Sequence, residues 1–420
     1  MAVRHLVSWC LLLLAQPAFA HEDHESHPIH AHADTLLLDL AQAIALGANN
    51  GPEVIKSKAT HAAGRDLEAA ASPFMTQLPY IQTQLGPRLS RGALSPEVIV
   101  GVNQPFTLGD TAGVQKRVAR ATSQTLTATT RSAELSAARR AADAWITLAL
   151  ADRTLKLRRE FAEQAKALVA LARARVTAGE AEPVELALAE SELADAHSLV
   201  IDAEGLHYTA ELELSYAIGA PRTHVDVRGE LTQPPPAPIA GAATLHPDVE
   251  AAERRAALAL NQVAYAKVQQ APTLAVGIQY QREGTGDQIL TAVATIPLPV
   301  ASPWEFQMAQ QRLAAVDARA EANLVRTMTD KQRQGAAHEL DHTRAQYEYL
   351  LTTALPPLRE AHRLAVLRYT HGETDISAVS LIRQRLLRTE ERVTEALARV
   401  QMADVELRAL AGELLKTGRP

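Results

Sequence analysis

Two spacings of apolar residues alternate along this chain. From Thr111 to Thr177 the repeat is seven. Leu148, Leu155, Ala162, Val169 and Val176 recur at that interval, with Ala151, Ala165 and Ala172 three places later. This is a coiled-coil seam. A helix of roughly 70 residues would be about 100 Å long, more than a compact globular domain needs. Arg158 interrupts the seam, and the pattern gives no reason for it. Ala178-Gly179-Glu180 turns the chain. The returning segment, Pro183 to Ile218, carries Leu186, Leu193, Val200 and Leu214 at heptad spacing. A second stripe beside it, Ala189, Ala196, Ala203, Ala210 and Ala217, is all alanine. Small side chains let helices approach closely, so each helix is expected to pack on two neighbours, as in a wall.

Elsewhere the spacing is two. Pro79 to Leu85 and Pro96 to Gln104 alternate and are rich in β-branched residues, with a turn-like SRGALS between them. Strands of about 9–11 residues are long enough to cross a membrane when tilted. Before them, helical patterning runs from Thr35 to Ile44. Asn49-Asn50-Gly51-Pro52 breaks it, and a second helix continues to about Ala71.

The chain then repeats itself. Gly51-Pro52-Glu53-Val54 matches His246-Pro247-Asp248-Val249. Arg175-Val176-Thr177-Ala178-Gly179-Glu180 matches Arg368-Tyr369-Thr370-His371-Gly372-Glu373, 193 residues on. A second strand pair is expected at about 272–281 and 288–297. A second long helix runs from Pro303 to Leu355, where Pro356-Pro357 should kink it. Val379, Leu386, Val393, Val400 and Leu407 continue a seam, and Gly412 mirrors Gly219. A repeat this long is a duplication. The expected division is a first repeat over 35–233 (strands about 79–86 and 96–105), a Pro-rich linker over 234–243, a second repeat over 244–413 and a tail over 414–420.

Residues 1–20 read as a secretion signal: Arg4 and His5, an apolar Leu6–Leu14, and the cleavage site Ala18-Phe19-Ala20. The one cysteine, Cys10, falls inside it, which leaves the mature chain no thiol for a disulfide or lipid anchor. No later stretch approaches the roughly 18 apolar residues of a membrane helix. The net charge is −6, so there is no basic field for nucleic acid. Aromatic residues make up only 4%, low for a globular enzyme. Residues 21–34, HEDHESHPIHAHAD, form a polar tail with no apolar period.

Four strands cannot close a barrel, and open sheet edges cannot face lipid, so the strands must join those of other subunits. The order helix, strand pair, long helix, tip and returning helix, all duplicated, resembles the TolC-like family of outer-membrane efflux proteins over essentially the whole mature chain. The tips RVTAGEAEPVELALAE and RYTHGETDISAVSLIR resemble that family's tip pattern. The resemblance implies a mainly α fold with a small β part. In it, a homotrimer joins a twelve-stranded β-barrel in outer-membrane lipid to a periplasmic α-barrel. It also implies docking, tip to tip, on a periplasmic adaptor (membrane fusion) protein bound to an inner-membrane RND-type pump. Such a chain is a passive duct with no cofactor and no catalysis. The docking residues it points to are Arg175, Thr177, Gly179, Glu180, Arg368, Tyr369, Gly372 and Glu373, with the charged ones exposed.

In the prototype of the family an acidic pair follows the second tip glycine by six and nine residues. Those places are Ala378 and Leu381 here, so that ring is not carried over. The matching place in the first half is Glu185, a candidate entrance ring of three carboxylates. The His-rich start and the prolines in the second long helix resemble CzcC-type channels of heavy-metal efflux. His21, His24, His27, His30 and His32 are candidates for weak metal binding, since neutral imidazoles suit Zn, Ni, Co and Cu ions. The same channel exporting organic compounds or drugs is the alternative.

Two readings of another class remain. A periplasmic coiled-coil adaptor would have one hairpin and no duplication. His338-Glu339-Leu340-Asp341-His342 fits the H-E-x-x-H signature of zinc peptidases. That chemistry needs a third ligand and a cleft, and this motif lies midway along a long helix.

Overall fold

The computed structural model describes residues 35–71, 77–90, 93–231, 245–283, 286–297 and 304–417. The signal segment, the His-rich tail with its five histidines, and the Pro-rich linker lie outside the described residues.

The described residues open with a short strand, β1 (Leu36–Leu38), then α1 (Leu40–Asn50) and α2 (Pro52–Ala70). A β-hairpin follows, β2 (Tyr80–Ser90) and β3 (Ala93–Thr107). Next come α3 (Thr111–Ala178), α4 (Pro183–Ala217) and a second short strand, β4 (Val225–Val227). The second half repeats the order: α5 (Pro247–Gln269), β5 (Thr273–Arg282), β6 (Gln288–Thr295), α6 (Glu305–Tyr349), α7 (Leu355–Thr370) and α8 (Ile376–Leu410), closed by α9 (Leu414–Thr417).

Side chains cap the helix starts where the sequence offers them. Asp39 and Gln42 form a reciprocal box at α1. Asp110 accepts from the Gly113 N–H at 3.0 Å, and Asp375 from the Ala378 N–H at 2.9 Å. Pro52 and Pro247 stand at matching first-turn positions of α2 and α5, where a missing N–H costs nothing. Between α6 and α7 the kink takes the form of a five-residue π-helical turn, Leu350–Ala354. The rings of Pro356 and Pro357 remove two backbone donors, and the wider turn takes up the mismatch.

Three expectations change. The segment Thr35 to Ile44 is not helical throughout: Leu36–Leu38 pairs in parallel with Val225–Val227. That pairing joins the segment before α1 to the segment that follows the first returning helix. Trp145 in α3 donates its indole N–H to the Leu38 carbonyl at 2.7 Å and fixes the strand against the helix. The strands of the first hairpin are longer than the alternation suggested, 11 and 15 residues. The C-terminal tail starts as a packed turn, because Leu414 is buried in the main core.

The apolar core is a set of layers along the helix bundle. The largest surrounds Trp145, Ile146, Leu148, Leu214 and Val400, where α1, β1, β4 and α9 gather on α3 and α8. A second layer is built on Leu157, Phe161, Ala162, Ala165, Ala196 and Leu387. A third, at the tips, holds Leu168, Val169, Ala172, Ala189, Tyr369, Ile376 and Val379. All five alanines of the α4 stripe are buried. Arg158, unexplained by its heptad position, bridges three helices: its Nε donates to Glu391 at 2.9 Å and a terminal nitrogen to the Leu199 carbonyl at 3.0 Å.

Candidate functional site

The four long strands form one antiparallel sheet in the order β2-β3-β5-β6. Directly opposite residues share a face, so the register sorts every side chain. One face carries Ile81, Leu85, Leu89, Leu94, Val98, Val100, Val102, Val276, Ile278, Tyr280 and Leu290. Among them Ile81, Leu85, Leu89, Leu94 and Leu290 are exposed by more than two thirds. The other face carries Gln82, Gln84, Arg88, Glu97, Asn103, Gln279, Gln281 and Thr291, interspersed with Ile99, Ile289 and Val293. Here Gln281 hydrogen-bonds Glu97, and Arg88 pairs with Glu283 across the intervening strand. An apolar outer face and a polar inner one are what a lipid-facing barrel wall requires. No described helix is long and apolar enough to cross a membrane.

At the opposite end the two tips lie side by side. Gly179 and Gly372 have φ of 77° and 73°, a left-handed conformation that costs glycine little. Each closes its helix the same way. The Glu180 N–H reaches the Arg175 carbonyl and the Glu373 N–H the Arg368 carbonyl, both at 2.9 Å. Thr177 is exposed, and its hydroxyl donates to the Arg173 carbonyl. Arg368 and Glu373 are exposed and 3.5 Å apart, and Glu180 is exposed too.

Arg175 is not on the surface as expected, since only 11% of its side chain is exposed. Its guanidinium lies 4.6 Å over the Tyr369 ring and donates to the Tyr369 carbonyl at 3.1 Å. Tyr369 is fully buried, and its hydroxyl donates to Glu185 Oε2 at 3.0 Å. Burial first, then that hydrogen bond, hold the phenol above its ordinary pKa. Glu185 is therefore engaged within one protomer, with Arg175 at 4.0 Å on its other side.

Sequence reasoning missed the most buried charge in the wall. Arg383 of α8 is 2% exposed and pairs at 2.6 Å with Glu192 of α4, itself 8% exposed. The Ser380 hydroxyl also hydrogen-bonds Glu192, and the Arg383 guanidinium stacks 4.3 Å from the centre of the Phe161 ring. Burial pulls the arginine below its ordinary value, and Glu192 opposes this. The signal was present as two charges at otherwise core-like helix positions, but each reads as a solvated residue until its partner, 191 residues away, is known.

The H-E-x-x-H motif sits on α6 with His338, Glu339 and His342 exposed and Leu340 turned into the core. Among the described residues no group of three His, Cys, Asp or Glu is placed to hold a metal ion.

An open four-stranded sheet at one end of very long paired helices is the fold of outer-membrane channel subunits. Residues 64–220 match the family model described as outer membrane efflux protein. The matched stretch runs from within α2 through the first hairpin and α3 to just past the end of α4, so it lies in the first repeat. No curated protein matches the chain's sequence. Its fold is similar to the outer-membrane channel OprN, with TM-score 0.74 and 17% identity over 89% of this chain and 90% of that one. CusC is similar with TM-score 0.69 and 15% identity over 91% and 95%. The open state of the Neisseria gonorrhoeae MtrE channel gives TM-score 0.68 and 16% identity over 91% of each.

Proposed function

We propose that three copies of this chain form the exit duct of a tripartite efflux assembly. The observation that supports this best is the pair of sheet edges. The outer edges of β2 and β6 have no ladder partner among the described residues. The two strands run in opposite directions, so β6 of one copy meets β2 of the next antiparallel. Three copies give a closed barrel of twelve strands, which removes every edge from lipid.

The exported material is a heavy-metal cation of the Co, Zn, Cd, Ni or Cu class, and the duct takes it from an inner-membrane RND-type pump through a periplasmic adaptor. The support is the His-rich segment His21 to His32 and the proline pair in the second long helix, both features of CzcC-type channels. Organic compounds or drugs are the second substrate reading. The adaptor meets the tips: Gly179 and Gly372 shape the turns, and Glu180, Arg368 and Glu373 are the side chains offered. Arg175, Tyr369 and Glu185 act inside the tip, holding the entrance narrow. Three Glu185 carboxylates line it only when Tyr369 lets go.

Detergent extracts should contain a heat-sensitive trimer that conducts ions in planar bilayers. A soluble monomer with no membrane fraction sinks the duct. A deletion strain tested ion by ion should lose metal resistance. Unchanged metal tolerance with new drug sensitivity moves the substrate to the organic class.

A further inference from the structure

Polar links join the two helix pairs of the protomer at three levels, and on α4 the levels are one heptad apart. Glu185 takes the Tyr369 hydroxyl, Glu192 takes Arg383 and Ser380, and the Leu199 carbonyl takes Arg158, which also binds Glu391 of α8. Each step along α4 is about 10.5 Å. The middle level separates two apolar layers, with Ala189 and Val379 on the tip side and Ala196, Phe161 and Leu387 beyond.

We infer that the buried Glu192–Arg383 pair is the stop that limits how far the tips can part. This rests on the reading of Tyr369 and Glu185 as a latch. The lowest link joins a neutral phenol to a carboxylate, with the Glu185 side chain 19% exposed, so water can replace it as the tips separate. The middle link is the driest of the three. Parting it strands two charges without solvent, which is far costlier than losing a surface contact. It also fixes axial position. The alanine stripe of α4 repeats every seven residues and would fit its neighbours equally well after a slide of one heptad. Arg383 breaks that degeneracy in one direction, since a slide that brings Leu199 to its level leaves a buried charge without a carboxylate. Opening is therefore confined to the part of α4 before Glu192, on the order of 14 Å of helix.

Single-channel conductance of the reconstituted full-length trimer tests this. Tyr369→Phe releases the latch and raises conductance above wild type. Adding Glu192→Gln moves the hinge upward and raises conductance further, by roughly twofold. Glu192→Gln with Tyr369 intact stays near wild type. Should Glu192→Gln fail to assemble, Glu192→Met with Arg383→Met removes both charges while filling the layer, and the same increment over Tyr369→Phe is expected. Conductance no greater than that of Tyr369→Phe alone, in either background, overturns the stop and leaves the latch standing. Wild-type conductance in Tyr369→Phe itself overturns the latch and the stop with it.

Discussion

The Tyr369 hydroxyl donates to Glu185 Oε2 across 3.0 Å and so ties the last turn of α7 to the first turn of α4. A core tyrosine in one repeat is thus anchored on a carboxylate in the other. Tyr369→Phe keeps the ring under Arg175 and removes only the hydroxyl. Its expected cost is about 1 kcal/mol in trimer stability. Conductance in planar bilayers should rise while the trimer still forms, and an unchanged trace would count against the latch.

Arg175 cannot be used as a docking probe, because its guanidinium is buried against Tyr369. The useful variant changes Glu180, Arg368 and Glu373 to alanine together. These charges are exposed and add little to stability. Trimer yield and membrane insertion should be those of wild type, while adaptor capture and efflux fall. With two tips in each of three copies, a small loss per tip multiplies through avidity. Adaptor retention at wild-type strength would leave the contact to the backbone at the glycines.

Ala203 lies in the buried stripe of α4. Ala203→Leu should destabilise the assembly by about 1–3 kcal/mol, because three more carbons crowd a buried helix face. Asp202→Ala, its exposed neighbour, should stay within about 0.5 kcal/mol. Thermal dissociation of the trimer on a gel distinguishes them, and equal tolerance would mean the stripe is not a packing surface.

Gly277 in β5 has no room for a side chain. A Cβ there would stand 2.2 Å from the Asn103 side-chain oxygen and 2.6 Å from the Val102 carbonyl, across the β3–β5 pairing. Gly277→Ala should therefore reduce the trimer band seen in unheated detergent extracts. Gly86, whose Cβ position meets nothing within 4 Å, is the control. Matching band intensities for Gly277→Ala and Gly86→Ala would refute the close approach.

Asp143 on α3 has a pKa pushed up to about 6, first by burial, with Glu406 adding to the rise and Arg139 opposing it. Its folded value lies above the ordinary 3.8, so the native state holds the proton more tightly than the unfolded chain. Stability from this group is present at low pH and is lost as pH rises from about 4 to about 6. The side chain is 42% exposed, so solvent screening keeps the effect under about 1 kcal/mol. Asp143→Asn should flatten the dissociation temperature across that window. A slope identical to wild type would show that another group carries it.

Much of this protein could be read from spacing alone. The heptads set α3 and α4 to within a residue or two and traced the seam of α8 without its ends, and alternation located both hairpins. The repeat of Arg175 to Glu180 at Arg368 to Glu373 placed the two tips as equivalents. Period and punctuation are local properties, carried by residues within a turn or two of one another. The all-alanine stripe foretold close packing for the same reason, since its small size needs no partner to be recognised.

Tertiary structure alone decided which charges belong to water. Arg158, Arg175, Glu192 and Arg383 look alike as sequence, four ionic residues on long amphipathic helices. Folding brings Glu391, Tyr369 and Phe161 to them from other helices, and the low-dielectric layer between helices then holds what water would otherwise claim. The same holds for Leu36–Leu38, whose strand exists only because Val225–Val227 returns beside it. A three-residue strand has no periodicity of its own, and its hydrogen bonds come from a segment nearly 190 residues away.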